Sequence, residues 1–272
     1  MRYITQSINK IKIYAFSVLI SMILPVIGMA IESKSGILSN ASILQIESGI
    51  SHLRSPVLRP QEASPVALPQ GILIFSSRKI VKIIDLSGEI VKEFKAKFAP
   101  TATPAVDHGR VFVGGKDGKF HCLDLGTGEE IWANDLKSID FSEPSVFNDA
   151  VIFQTAGDRV IALDTTNGKW RWEYQHLRGE DLAVAGMCPP LVLDDTVYLG
   201  LSAGYVMAMD AASGRPLWKS RPFTGSHFID VDSPMAADDE NLFAMSIGGG
   251  TAALSRKTGK TVWKNAAGGL GG

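Results

Sequence analysis

The chain is predicted to be all-β, a β-propeller built of four-stranded blades, and three observations predict it. Trp132, Trp172, Trp218 and Trp263 follow one another at steps of 40, 46 and 45 residues, and Gly128, Gly168, Gly214 and Gly259 move by the same steps. Pro104, Pro144, Pro190 and Pro234 move with them, at 40, 46 and 44 residues. Each repeat also holds four short apolar runs rich in Val, Ile, Leu and Phe, separated by Gly, Asn and Asp, which read as strands. Finally, no stretch after residue 31 sustains helical spacing for three turns. Four strands in a unit of about 40–45 residues is the signature of a propeller blade.

The N-terminus comes first. Arg2, Lys10 and Lys12 are the only charges before Glu32, and the 18 residues Ile13–Ala30 are almost wholly apolar. A basic start, an apolar run and the small-residue exit Gly28-Met29-Ala30 predict a signal peptide over residues 1–30, cut after Ala30. Residues 31–64 are polar and irregular and read as a linker, with one short alternating piece, Ile43–Ile46, able to add a strand. Repeats occupy 65–272, with units at about 65–94, 102–132, 142–172, 188–218 and 232–264. The first unit is degenerate, since it keeps Pro65, Asp85 and Gly88 but has Lys92 where the others have Trp.

Within a unit the fixed residues have separate jobs. The Gly answers a turn that needs positive φ between the third and fourth strands. The Asp before it (Asp124, Asp164, Asp210) bonds the amides of that turn, with Ser255 taking its place in the last unit. The Trp, on the fourth strand, covers the joint between blades. Gly128, Trp132, Gly168, Trp172, Gly214, Trp218, Gly259 and Trp263 are thus structural, because a catalytic group is needed once and these recur in every complete unit.

Composition narrows function. Lys and Arg number 27 against 28 Asp and Glu, a net charge of −1, so there is no basic excess for a nucleic-acid backbone. Without residues 1–30 the balance is 24 against 28, mildly acidic. Two cysteines, Cys122 and Cys188, supply neither a disulfide framework nor a zinc site, and Cys122 reads as a small core residue. The five histidines fall at no ligand spacing, and Asp230 with Asp232 forms a solvated loop rather than a calcium site. There is no nucleophile elbow and no phosphate loop. Gly248-Gly249-Gly250 is a hairpin turn, as is the stretch Gly200–Gly204. No catalytic, cofactor-binding or metal residue is assigned.

The closing phrases Asp124-Leu-Gly-Thr-Gly128-Glu-Glu-Ile-Trp132 and Asp210-Ala-Ala-Ser-Gly214-Arg-Pro-Leu-Trp218 resemble the tryptophan-docking repeat of PQQ-like (quinoprotein-like) propellers. Leu177-Arg178-Gly179-Glu180 and Asp230-Val231-Asp232-Ser233-Pro234, in two successive connections between units, are similar to segments of the BamB family of outer-membrane assembly factors. That resemblance implies eight blades, of which this chain supplies five, and so an incomplete ring. It implies a non-enzymatic scaffold in the periplasm, at the inner face of the outer membrane, that holds the POTRA domains of the barrel-forming subunit. Leu177, Arg178, Asp230 and Asp232 are the partner-binding residues it implies. Membrane association is then indirect, through the partner, because the family's lipid-bearing Cys has no counterpart after Ala30. Gln175 stands where the family often has a further Leu. The alternative from another class is a PQQ-dependent quinoprotein dehydrogenase, or a periplasmic protein binding a PQQ-like ligand.

Overall fold

In a computed structural model, the structure describes residues 63–138, 140–177, 187–225 and 229–265. The signal peptide, nearly all of the linker with Ile43–Ile46, and Arg178 lie outside them. Two compact units are present, divided between Ala96 and Lys97.

The first unit carries one sheet, β1 (Val66–Leu68), β2 (Gly71–Phe75), β3 (Ile80–Asp85) and β4 (Ile90–Lys95). It is an antiparallel meander in chain order. The second unit carries four more of the same design. They are β5 (Ala105–Asp107), β6 (Arg110–Gly114), β7 (Lys119–Asp124) and β8 (Glu130–Asp135), then β9 (Ser145–Phe147), β10 (Ala150–Thr155), β11 (Arg159–Asp164) and β12 (Trp170–Gln175). The last two are β13 (Leu191–Leu193), β14 (Thr196–Gly200), β15 (Val206–Asp210) and β16 (Pro216–Ser220), then β17 (Ala236–Ala237), β18 (Asn241–Ser246), β19 (Gly250–Ser255) and β20 (Thr261–Asn265). Five four-stranded antiparallel sheets, each a blade, make the fold that of a β-propeller.

Burial follows strand position. All six residues of β10 are buried, because the middle strands have a sheet against each face. The period of two then sends alternate side chains to opposite layers. Val151, Phe153, Ile161 and Leu163 meet Phe112, Phe120 and Cys122 of the sheet before, and Phe120 stacks on Phe153 at 3.8 Å between centroids. Ile152, Val160 and Ala162 meet Val197, Leu199, Met207 and Met209 of the sheet after. Tyr198, Val206 and Ala208 face the other way, onto Leu242, Ala244, Ala252 and Leu254. The fourth strands β8 and β12 alternate exposed and half-buried residues over most of their length, as outer edges do, and β20 is exposed throughout.

The turn before each fourth strand is built alike. Gly88, Gly128, Gly168 and Gly214 donate their N–H to the carbonyl of Asp85, Asp124, Asp164 and Asp210, at 2.8–3.1 Å. The Asp side chains accept further amides, Asp124 from Thr127 at 2.6 Å and Asp210 from Ser213 at 2.8 Å. The Asp210 carboxyl lies below its ordinary pKa chiefly through the Ser213 hydroxyl and amide, and Asp164 chiefly through the Arg171 guanidinium.

Candidate functional site, the rim of blade connections

Trp132, Trp172 and Trp218 each reach over to the next blade. Trp132 Nε1 donates to the carbonyl of Thr165, Trp172 to Ala211 and Trp218 to Arg256, at 3.1, 3.0 and 2.8 Å. The indole lies flat on the next blade's turn glycine. A methyl group on Gly168, Gly214 or Gly259 would stand 2.7, 2.6 or 2.5 Å from the nearest ring atom. Positive φ, +69° at all three, is therefore half of the reason for glycine there, and the indole is the other half.

In an antiparallel meander the turn joining strands two and three and the connection from strand four to the next blade emerge on one rim. Bonds between them confirm this here. Thr101 N–H donates to Gly114 O at 3.0 Å, Ser142 N–H to Gln154 O at 2.9 Å and Val231 N–H to Leu201 O at 3.1 Å. Leu177 follows β12 and is 84% exposed. Asp230 and Asp232 lie in the connection between β16 and β17.

Asp230 is not a solvated loop residue. It is 7% exposed, and its Oδ1 accepts the N–H of Ala203 at 2.8 Å. Ala203 is the centre of a one-turn 3-10 segment, Ser202–Gly204, and sits in the left-handed region at φ +56°. Asp158, buried in the β10–β11 turn, grips the same segment, accepting both Ser202 N–H, at 3.2 Å, and the Ser202 hydroxyl. Arg221 Nε donates to Ala203 O at 2.8 Å. A strained, buried turn is thus held from three sides by charge-assisted bonds. The Asp158 carbonyl also accepts the N–H of buried His176, at 3.0 Å. The residue beside Leu177 and the residue beside Val231 therefore belong to one polar network.

Asp232 has a different setting. It lines a pocket of about 270 Å³ with Thr101, Asp140, Ser142, Glu143 and Met187, drawn from four successive connections. Its Oδ1 is buried and has no hydrogen-bond partner among the described residues. Leaving such an oxygen unmet costs about 1–3 kcal/mol.

Elsewhere, buried His121 places Nδ1 2.8 Å from Glu130 and Nε2 3.0 Å from Asp117 and stacks on Phe98 at 3.6 Å. Cys122 and Cys188 are both fully buried, in different core layers, and burial pushes each thiol up to about 12. Among the described residues no three His, Cys, Asp or Glu side chains converge to hold a metal ion.

Sequence reasoning missed Asp158, Ser202, Lys219 and Arg221. Their hydrogen-bond partners are 18–44 residues away, and the one local signal was the left-handed turn that Gly157-Asp158 makes where strands two and three meet.

A family model described as outer membrane protein assembly factor BamB matches residues 77–272. BamB of Moranella endobia (strain PCIT) is 35% identical over 71 residues, 26% of this chain, and the match spans 18% of that relative's length. Among solved structures, BamB from Moraxella catarrhalis is similar with a TM-score of 0.61, at 24% identity over 78% of each chain. The quinohemoprotein alcohol dehydrogenase of Comamonas testosteroni reaches a TM-score of 0.63 at 18% identity, over 76% of this chain and 43% of that one. At these identities the structures share a fold and nothing further follows from them. With the family model covering well over half its length, the chain belongs to the BamB family of outer-membrane protein assembly factors.

Proposed function

We propose that this chain is a non-enzymatic scaffold of outer-membrane β-barrel assembly, and that the rim of blade connections docks on the POTRA region of the barrel-forming subunit. The observation that carries the reading is an almost fully exposed leucine, Leu177, next to a connection stiffened from beneath by Asp158, Ser202, His176 and Asp230. An exposed apolar side chain beside a connection tied into a buried polar network has surface to bury on binding, which is how interface anchors gain their effect. Asp232 adds a carboxylate oxygen with no protein partner among the described residues. Arg178 would sit directly after the anchor and supply a planar guanidinium. Asp230 serves by holding Ala203 rather than by touching the partner.

Export to the periplasm by a signal cleaved after Ala30 belongs to the same reading. Amino-terminal sequencing of the mature protein should begin at Ile31. Intact Met1 in the membrane fraction would make the segment an anchor instead.

A two-arm experiment separates scaffold from enzyme. In one, the purified chain is titrated with the POTRA region; in the other, with PQQ and calcium while dye reduction is followed. The scaffold reading expects saturable binding in the first arm and neither stoichiometric binding nor dye reduction in the second. The reverse pattern would establish the quinoprotein alternative.

A further inference from the structure

The same rim carries a pair of cations that the family motifs do not include. Lys219, on β16, places Nζ 4.2 Å from the centroid of the Tyr205 ring, and Arg221 places its guanidinium carbon 5.2 Å from it. Both residues are exposed. Neither forms an ion pair with a carboxylate among the described residues, while the two nearby acids, Asp158 and Asp230, are buried and turned onto Ser202 and Ala203. Lys219 Nζ lies 3.0 Å from His176 Nδ1, and since an ammonium only donates, this ring nitrogen is the acceptor. His176 packs edge-on to Tyr205, at 5.2 Å. Arg221 is oriented by its Nε bond to Ala203 O, which leaves both terminal nitrogens of the fork without a hydrogen-bond partner among the described residues. Two like charges therefore lie within about 5 Å of one ring, and the opposite charge felt at Lys219 is that of Asp158, which is buried and bonded to Ser202. Partly desolvated, Lys219 is held below its ordinary value by burial, a setting in which an added anion gains most.

We infer that Lys219, Arg221 and Tyr205 form a clamp for an acidic side chain of the protein partner, next to the Leu177 anchor. This rests on the reading of the rim as the partner surface. A carboxylate fits the Arg fork in bidentate fashion, with the ammonium beside it. A protein carboxylate is favoured over a lipid phosphate because the clamp is one Lys–Arg pair beside an exposed leucine on a chain of net charge −1, not the cluster of about four or more cations that an anionic lipid surface takes.

The test uses the full mature chain as wild type, as the double variant Lys219→Gln/Arg221→Gln and as Arg221→Lys, each shown to be fully folded at the assay temperature, since loss of the Arg221–Ala203 bond should lower the melting temperature somewhat. Three probes are titrated at low and physiological salt: the POTRA region, labelled hexaglutamate, and vesicles of phosphatidylethanolamine with phosphatidylglycerol. The clamp predicts about tenfold weaker POTRA binding in the double variant, a shallower salt dependence, and an intermediate loss in Arg221→Lys. It also predicts that wild type binds hexaglutamate better than the double variant does. Equal POTRA affinity in wild type and double variant overturns the clamp and leaves the rim reading standing. No POTRA binding by wild type overturns the rim reading, and the hexaglutamate arm then decides the clamp alone. Discrimination between wild type and variant on vesicles but not on hexaglutamate overturns the protein-carboxylate assignment.

Discussion

Replacing Gly214 by alanine isolates the device that joins one blade to the next. The new methyl group would lie 2.6 Å from Cδ2 and 2.8 Å from Cε3 of Trp172, well inside contact distance. It would also force alanine to φ +69°. The left-handed conformation costs about 1–2 kcal/mol, displacing the well-packed indole about 1–3 kcal/mol, and weakening the Trp172–Ala211 hydrogen bond about 1 kcal/mol. Gly157→Ala is the control, for Gly157 has φ +92° and nothing within 4 Å of the added methyl. It should lose only the conformational part, so the two variants should differ by about 2–4 kcal/mol. At about 2–4 °C per kcal/mol for a chain of this size, the gap is roughly 4–16 °C in Tm. Urea titration followed by tryptophan fluorescence measures both. If the two variants fell within about 0.5 kcal/mol of each other, the ordinary range of a neutral surface change, the indole would not explain the glycine.

Further expectations follow from the network and the core. Asp230→Ala should destabilise the chain by about 1–3 kcal/mol by orphaning the Ala203 amide, whereas Leu177→Ala should stay within about 0.5 kcal/mol; urea midpoints compare them. Asp164 and Asp210 have lowered carboxyl values when folded, so they contribute stability above the unfolded carboxylate range that is lost as pH falls through the folded values. Thermal scans should therefore decline below about pH 4, less steeply in Asp164→Asn. Cys122 and Cys188, fully buried with thiols near 12, should resist iodoacetamide in the native protein at neutral pH and both react in urea; mass spectrometry reads the count.

Much of the fold is written in short-range pattern. Each strand needs only a few β-branched or aromatic residues between turn formers, and each Asp-to-Gly turn closes over four residues or fewer, so both are visible locally. The co-movement of Gly and Trp even announced a blade joint. Yet the glycine was explained by φ alone, because the indole that excludes a side chain at Gly168 comes from Trp132, 36 residues earlier. The rim was less legible. Asp230 looks like any loop carboxylate until the left-handed Ala203 turn, 27 residues away, is seen to need an acceptor. Asp232, two residues on, has the same chemistry and a different setting, an acidic pocket assembled from four connections. Lys219 and Arg221 carry no local mark at all. Their meaning comes from Tyr205, His176 and Ala203, which only the folded chain brings beside them.

The central claim is that this rim binds the barrel-forming subunit through Leu177, and calorimetric titration of its POTRA region with wild type and with Leu177→Asp tests it most directly. Wild type should bind saturably and Leu177→Asp should show at least a tenfold weaker Kd, about 1.4 kcal/mol, with Tm unchanged. Equal affinity of the two proteins, both folded, would contradict it.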